Sequence, residues 1–419
     1  MSASLVLFPR SRSPAEGNVM SNPTQLLILG AGYAGLMAAF RLGRAAQGKP
    51  ITVTLINDSP LFVERVRLHQ VAAAQRVRAR PIQGLLRGSG VRFVQGRVTR
   101  IAAQSRQVHL TTPDGEQVLS YNYLLYALGS QTDFGRVPGA RDYTLSAGNA
   151  ADAPRLRERL SQLAAGSTLI VVGGGLTGIE TAAELAERYP ALRVRLVTAG
   201  RLGEGLSKRG QQHVRKVLAR LRVTLHENTP VQAVAAEALL CANGERLPFA
   251  LCVWAATLRA VPLAANSTLA TNERGQLLVS PTLSSLSAPN IFGAGDGVAF
   301  AEAHGVPIRM ACATALPMGA QAADNLWAAL HGNPQKPFGF GYVAQCVSLG
   351  RQDGLVQFVR RDDSPTERIL TGRLAAFIKE SLCRYAAFSA TTAWLATHYR
   401  WLGQNAFASA PEPTVVIQS

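Results

Sequence analysis

The strongest constraint on this chain is an internal repeat. Residues 26–42 read LLILGAGYAGLMAAFRL, and residues 169–189 read LIVVGGGLTGIETAAELAERY. Each copy is an apolar, strand-like run, then a glycine loop, then an alanine-rich amphipathic segment. A second strand-like run follows each, ITVTLIND at 51–58 and LRVRLVTAG at 192–200. Strand, loop, helix, strand is the βαβ unit, whose right-handed crossover gives parallel strands. Each copy then continues into short alternating segments around a tight turn, Pro113-Asp114-Gly115 in the first and Asn243-Gly244 in the second. Asp-Gly and Asn-Gly supply the positive φ angles of hairpins. YNYLLYALG (121–129) and FALCVWAAT (249–257) carry apolar runs suited to buried strands returning to each main sheet. The predicted fold is α/β, with two Rossmann-like dinucleotide-binding domains and a C-terminal helical or mixed region. The expected layout is an N-terminal extension over 1–23, a discontinuous first domain over 24–147 and 265–335, a second over 148–264, and a C-terminal region over 336–419.

Composition excludes several classes. An apolar fraction of 47% and a charged fraction of 16% rule out a disordered chain. No apolar run is long and charge-free enough to span a membrane. The formal charge of +17 suits an anionic partner, but zinc-finger spacing, RNP-like motifs and long basic runs are absent, so no nucleic-acid partner is expected. The five cysteines, Cys241, Cys252, Cys312, Cys346 and Cys383, include no Cys-x-x-Cys pair, so no metal site is expected. Isolated thiols fit a reducing cytoplasm. The first residues lack the pattern of a secretion signal, and Met20 is an alternative start to Met1.

The glycine loops carry the chemistry. Gly30 permits a tight turn, Gly32 lets the backbone approach a pyrophosphate, and Gly35 lets helix pack on strand. Gly173, Gly175 and Gly178 repeat these roles. In both, a helix N-terminus offers free N–H groups and partial positive charge to phosphates. Neither loop alone says which dinucleotide it holds. An acid at the end of the second strand commonly binds the adenosine ribose. The first copy has Asn57 and Asp58 there; the second has no acid, with Thr198 and Arg201 as candidates. An uncharged residue beside an arginine is compatible with the 2′-phosphate of NADPH; alternatively, Arg201 points to solvent. Glu180, just inside the second helix, is either stabilised by the helix dipole or faces a cleft between two cofactors.

With YALG and NIFGAGD (290–296), the two loops resemble the two-dinucleotide-binding flavoproteins, specifically the type II NADH dehydrogenases and apoptosis-inducing-factor-like NAD(P)H oxidoreductases. The resemblance covers about residues 25–330. It implies that the first loop binds FAD and the second NADH or NADPH. It implies that Asp296, with Gly295, contacts the ribitol or pyrophosphate of FAD, and that Gly129 lies near the flavin. It implies hydride transfer to the flavin and onward electron transfer to an acceptor such as a quinone. The alternatives are a reductase of a protein or specialised-metabolite acceptor, and a flavin-based redox sensor with little turnover. The chain departs from this branch at CATALPMGAQAADNL (312–326), where Ala313, Pro317 and Met318 replace glutamines near the flavin and quinone. The segment 61–75 is also altered, with Glu64, Arg65, Arg67 and His69; His69 is either a proton relay or structural. Cys312 is read as packing beside the flavin site. No side chain is assigned as catalytic. In the C-terminal region, Leu374, Phe377, Ile378, Leu382 and Tyr385 share one helical face. That stripe is either a peripheral contact with the cytoplasmic membrane face or a core or homodimer interface.

Overall fold

A computed structural model describes residues 23–401 apart from 78, 136 and 302–307. The proposed N-terminal extension, except residue 23, and the last eighteen residues of the expected C-terminal region lie outside the described residues.

The repeat folds as two parallel sheets of the same plan. The first runs, edge to edge, β10 (Ile291–Gly293), β4 (Tyr123–Tyr126), β1 (Thr24–Leu29), β2 (Ile51–Asn57), β3 (Val91–Gln95). The second runs β5 (Leu145–Ser146), β9 (Leu251–Trp254), β6 (Thr168–Val172), β7 (Arg193–Val197), β8 (Thr224–His226). Every neighbouring pair in both sheets is parallel. The central strands read as continuous apolar runs because both faces are covered: Leu26, Ile28 and Leu29, like Leu169, Ile170 and Val171, are fully buried.

Each sheet carries a three-stranded antiparallel meander, Arg97–Ala102 with Gln107–Thr112 and Gly115–Ser120, and Val231–Ala235 with Ala238–Cys241 and Arg246–Pro248. Here the structure refines the sequence expectation. The runs 91–101 and 223–234, read as single alternating segments, are each broken in two. Their first halves, β3 and β8, join the parallel sheets, and only their second halves join the meanders. Gly96 marks the first break, where a Cβ would meet Leu110 Cδ1 at 2.8 Å.

Four helices position the site: α1 (Tyr33–Ala46) and α3 (Leu176–Arg188) follow the two loops, α4 (Cys312–Leu330) crosses α1, and α5 (Gly372–Thr391) runs near the C-terminus. The α4 crossing is close because Gly319 has no side chain; a Cβ there would lie 2.3 Å from Ala34 O. Between α4 and α5 lies an antiparallel sheet, Ala344–Ser348, Gly354–Val359 and Pro365–Thr371, which the sequence reading did not resolve. Val347 and Leu355 of this sheet pack into the second core, while Ala386, Ala387 and Ala390 of α5 pack into the first. The C-terminal region therefore bridges the two halves.

Candidate active site

The first loop is built on one close approach. A Cβ on Gly35 would lie 1.8 Å from Gly30 O, so α1 can seat on the loop only with glycine there. Gly30 itself has φ +96° and faces the Ala127 carbonyl, where a Cβ would be 2.4 Å away. In front of Gly32 there is open space, and the N-terminus of α1 has no side-chain cap and no acid in its first turn. Unpaired N–H groups at an open helix end fit a pyrophosphate. The Asn57 carboxamide oxygen accepts Ala31 N–H at 2.9 Å, and its nitrogen donates to Ser59 O at 2.8 Å. Asn57 therefore holds the loop, and the exposed Asp58 is the charged group beside it.

Asp296 closes this half. It follows β10, in a turn where Gly295 has φ +80° and sits against Ala34 and Ala315. Ser130 Oγ donates to Asp296 Oδ2 at 2.8 Å, and Arg65 Nη1 donates to Ser130 Oγ at 3.2 Å. Burial raises the Asp296 carboxyl above its usual range, against the pull of Arg65 and the Ser130 bond. Gln276 fixes the turn by donating from its carboxamide to Asp296 O and Val298 O. Gly129, at φ +70°, lies beside the Arg65 guanidinium. Gly30, Gly32, Gly35, Gly129, Gly295 and Asp296 thus form one continuous corner around α1, with Arg65 as its cation.

The second loop repeats the first. A Cβ on Gly178 would lie 1.8 Å from Gly173 O, the space in front of Gly175 is open, and α3 starts uncapped. Its strand end differs. Thr198 lies directly against the loop, and a Cβ on Gly174 would meet Thr198 Oγ1 at 2.4 Å. Arg201 follows with an exposed side chain.

Between the halves lies a buried ionic cluster. Glu180 Oε1 accepts Lys379 Nζ at 3.1 Å and Ser348 N–H at 3.0 Å. Burial works to raise the Glu180 carboxyl, but the Lys379 charge leads the groups that outweigh it, and the carboxyl is lowered. Burial likewise opposes the Lys379 charge, yet Glu180 keeps the ammonium well above its usual value. His69 on α2 (Leu68–Ala72) is 3% exposed and faces Glu180, Lys379, Arg351 and Arg67. Burial pushes it down to about 4, so it is neutral near pH 7. One turn along α3, Glu184 bonds Arg351 at 3.0 Å. Arg351 and Arg67 both reach Glu380 of α5, at 3.4 and 2.6 Å. Cys312, at the start of α4, is pushed by burial up to about 11, which suits a packed thiol rather than a reactive thiolate.

Sequence reasoning singled out Glu180 but not Lys379, about two hundred residues away on the helix that carries the C-terminal apolar stripe. A lysine opposite that stripe was the available signal, because an amphipathic helix rarely buries a cation without a partner. Arg351 and Gln276 carried no local signal.

Residues 24–323 match the Pyridine nucleotide-disulphide oxidoreductase family. The chain is 30% identical to the demethylphylloquinone reductase of Synechocystis sp., over 79% of this chain and 86% of that protein. It is 26% identical to the type II NADH:quinone oxidoreductase of Staphylococcus aureus, over 87% of this chain and 95% of that one. The solved sulfide:quinone oxidoreductase of Aquifex aeolicus shares the fold, with a TM-score of 0.74 at 20% identity over 89% of this chain and 92% of its own. With two open, uncapped glycine-loop helices of one plan and a family match spanning both, this chain belongs to the pyridine nucleotide-disulphide oxidoreductases and is an FAD-dependent NAD(P)H oxidoreductase.

Proposed function

We propose that the chain is an NAD(P)H:quinone oxidoreductase working at a membrane surface. The observation that carries this reading is the two-sidedness of α5. Leu374, Phe377, Leu382, Tyr385 and Phe388 fall within about 140° of arc at 3.6 residues per turn, and all are exposed, Phe377 at 69%. Trp394 of α6 (Ala393–His398) is also exposed. On the opposite side of α5, Lys379 and Cys383 are turned inward, with Lys379 on Glu180. One helix therefore meets an apolar phase on one side and the junction of the two loops on the other. An apolar acceptor dissolved in a bilayer would reach the junction along this helix. No helix among the described residues is long and apolar enough to cross a membrane, so the stripe suits a helix lying in the interface. The quinone-linked names of the relatives agree with this acceptor class.

The net reaction is NAD(P)H + H⁺ + quinone → NAD(P)⁺ + quinol. The first loop, Asp296 and the N-terminus of α1 would hold FAD, which would supply the two-electron chemistry between the two substrates. The second loop and the N-terminus of α3 bind the pyrophosphate of NAD(P)H and set its orientation. Glu180 keeps Lys379 protonated, and Lys379 offers an N–H donor where negative charge grows on the acceptor oxygen.

The test is steady-state NADH and NADPH oxidation by the FAD-loaded protein with ubiquinone-1, menadione and ferricyanide, together with flotation on anionic liposomes. Quinone-dependent turnover and co-flotation, the latter lost in Phe377→Glu/Phe388→Glu, are expected. Ferricyanide reduction without quinone reduction would remove the acceptor assignment, and unchanged flotation of the double variant would remove the membrane assignment.

A further inference from the structure

The second loop's strand end bears directly on which nicotinamide nucleotide this chain takes. Discrimination between NADH and NADPH is made at the adenosine 2′ position, where a carboxylate accepts the free hydroxyls and repels a phosphate. That position follows β7, and the residue there is Thr198, whose hydroxyl lies against Gly174 of the loop. Three carboxylates lie on neighbouring segments, each with a partner. Glu204 turns back to accept Arg201 N–H at 2.9 Å. Glu227 accepts Leu202 N–H at 2.6 Å and is forked by the Arg215 guanidinium, whose bonds chiefly hold its carboxyl below the usual range. Glu245, across the strand end, sits 3.9 Å from His226. Arg201 uses its backbone N–H in these contacts, and its guanidinium stands exposed three residues after Thr198.

We propose that the second loop prefers NADPH, with Thr198 leaving room for the 2′-phosphate and Arg201 binding it. This rests on the reading that the second loop holds the nicotinamide nucleotide. Thr198 puts no carboxylate at the 2′ position, the acid on this loop, Glu204, is bonded to the Arg201 backbone, and the Arg201 guanidinium can donate two parallel N–H bonds to the phosphate. A charge-assisted pair of this kind corresponds to about a tenfold or larger preference. The preference concerns binding alone and is independent of the acceptor.

Titration calorimetry of the FAD-loaded protein with NADP⁺ and NAD⁺ tests it, with 2′-phospho-AMP and 5′-AMP as fragments lacking the nicotinamide. The expected result is binding of NADP⁺ and 2′-phospho-AMP about tenfold or more tighter than their unphosphorylated counterparts. Arg201→Gln should remove that preference by weakening only the phosphorylated ligands. Thr198→Glu should invert it. Tighter NAD⁺ binding by the wild-type protein would overturn the proposal while leaving the second loop as the nucleotide site. Equal weakening of NADP⁺ and NAD⁺ by Arg201→Gln would also overturn it, because Arg201 would then contact a part common to both. Binding of neither dinucleotide would sink the reading of the second loop and the proposal with it.

Discussion

The two halves share a backbone plan and differ in what they attach to it. Superimposed by their glycines, Gly30, Gly32 and Gly35 correspond to Gly173, Gly175 and Gly178, and the same carbonyl approach of 1.8 Å recurs in both. Two residues beyond the last glycine, the first half has Met37, fully buried in apolar core, and the second has Glu180, buried but paired with Lys379. At the end of the second strand, Asn57 ties down the first loop through Ala31, whereas Thr198 leaves the second without that bond. In the proposed division of labour the first half retains FAD, and the second, with its buried Glu180–Lys379 pair at the junction, exchanges NAD(P)H.

Breaking the loops gives the largest expected effect. Gly35→Val and Gly178→Val both force atoms into occupied space, a strain of about 3 kcal/mol or more. Gly35→Val should yield protein without bound FAD. Gly178→Val should retain FAD, read from its visible spectrum, yet lose nicotinamide binding by on the order of 100-fold. Loss of FAD from both variants alike would erase the division of labour.

Glu180→Met makes the second helix resemble the first at this position. It leaves the Lys379 charge buried and unpaired, so destabilisation of about 3–5 kcal/mol in urea unfolding is expected. Adding Lys379→Met should recover most of that stability but not acceptor turnover. Recovery of both would reduce the pair to packing.

His69 gives the next effect, through pH. Its folded-state value, about 4, lies below the ordinary 6.5, so the neutral form is favoured on folding. The stability this contributes is complete above pH 6.5 and is lost as pH falls toward 4, because the unfolded chain takes up the proton first. The loss is about 3 kcal/mol, seen as a falling urea midpoint that His69→Gln should flatten. An equal slope in the variant would place the titration elsewhere. Glu180 acts in the same direction at lower pH: its lowered carboxyl stabilises the fold above its unfolded value and ceases to do so as pH falls through the folded one.

The smallest contrast is between the strand ends. Asn57→Ala should cost about 1 kcal/mol and speed FAD release, since it leaves Ala31 N–H without its partner. Thr198→Ala should leave FAD retention unchanged. FAD release accelerated equally by both would mean that the two strand ends serve the same ligand.

Most of this architecture was legible because duplication doubles a weak signal: one glycine loop is a turn, but two in matching strand–helix contexts are a plan. The strand ends were legible as residue types but not as contacts. Asn57 or Asp58 was read as a ribose contact; that the Asn57 carboxamide also bonds Ala31 and Ser59 depends on where the loop backbone passes. A lysine opposite the apolar stripe was visible, but its pairing with Glu180 was not, because the two meet only after the C-terminal sheet carries α5 across both halves. The exposed stripe on α5 was visible as periodicity, but periodicity alone cannot say which face of a helix is covered.

The most direct test is anaerobic stopped-flow mixing of the FAD-loaded protein, first with NADPH or NADH and then with ubiquinone-1. Rapid bleaching of the flavin absorbance by the nicotinamide, followed by its full return on adding quinone, is the predicted result. Absence of bleaching, or bleaching that quinone does not reverse, would contradict the central claim that one half holds the flavin while the other delivers electrons from NAD(P)H to a quinone.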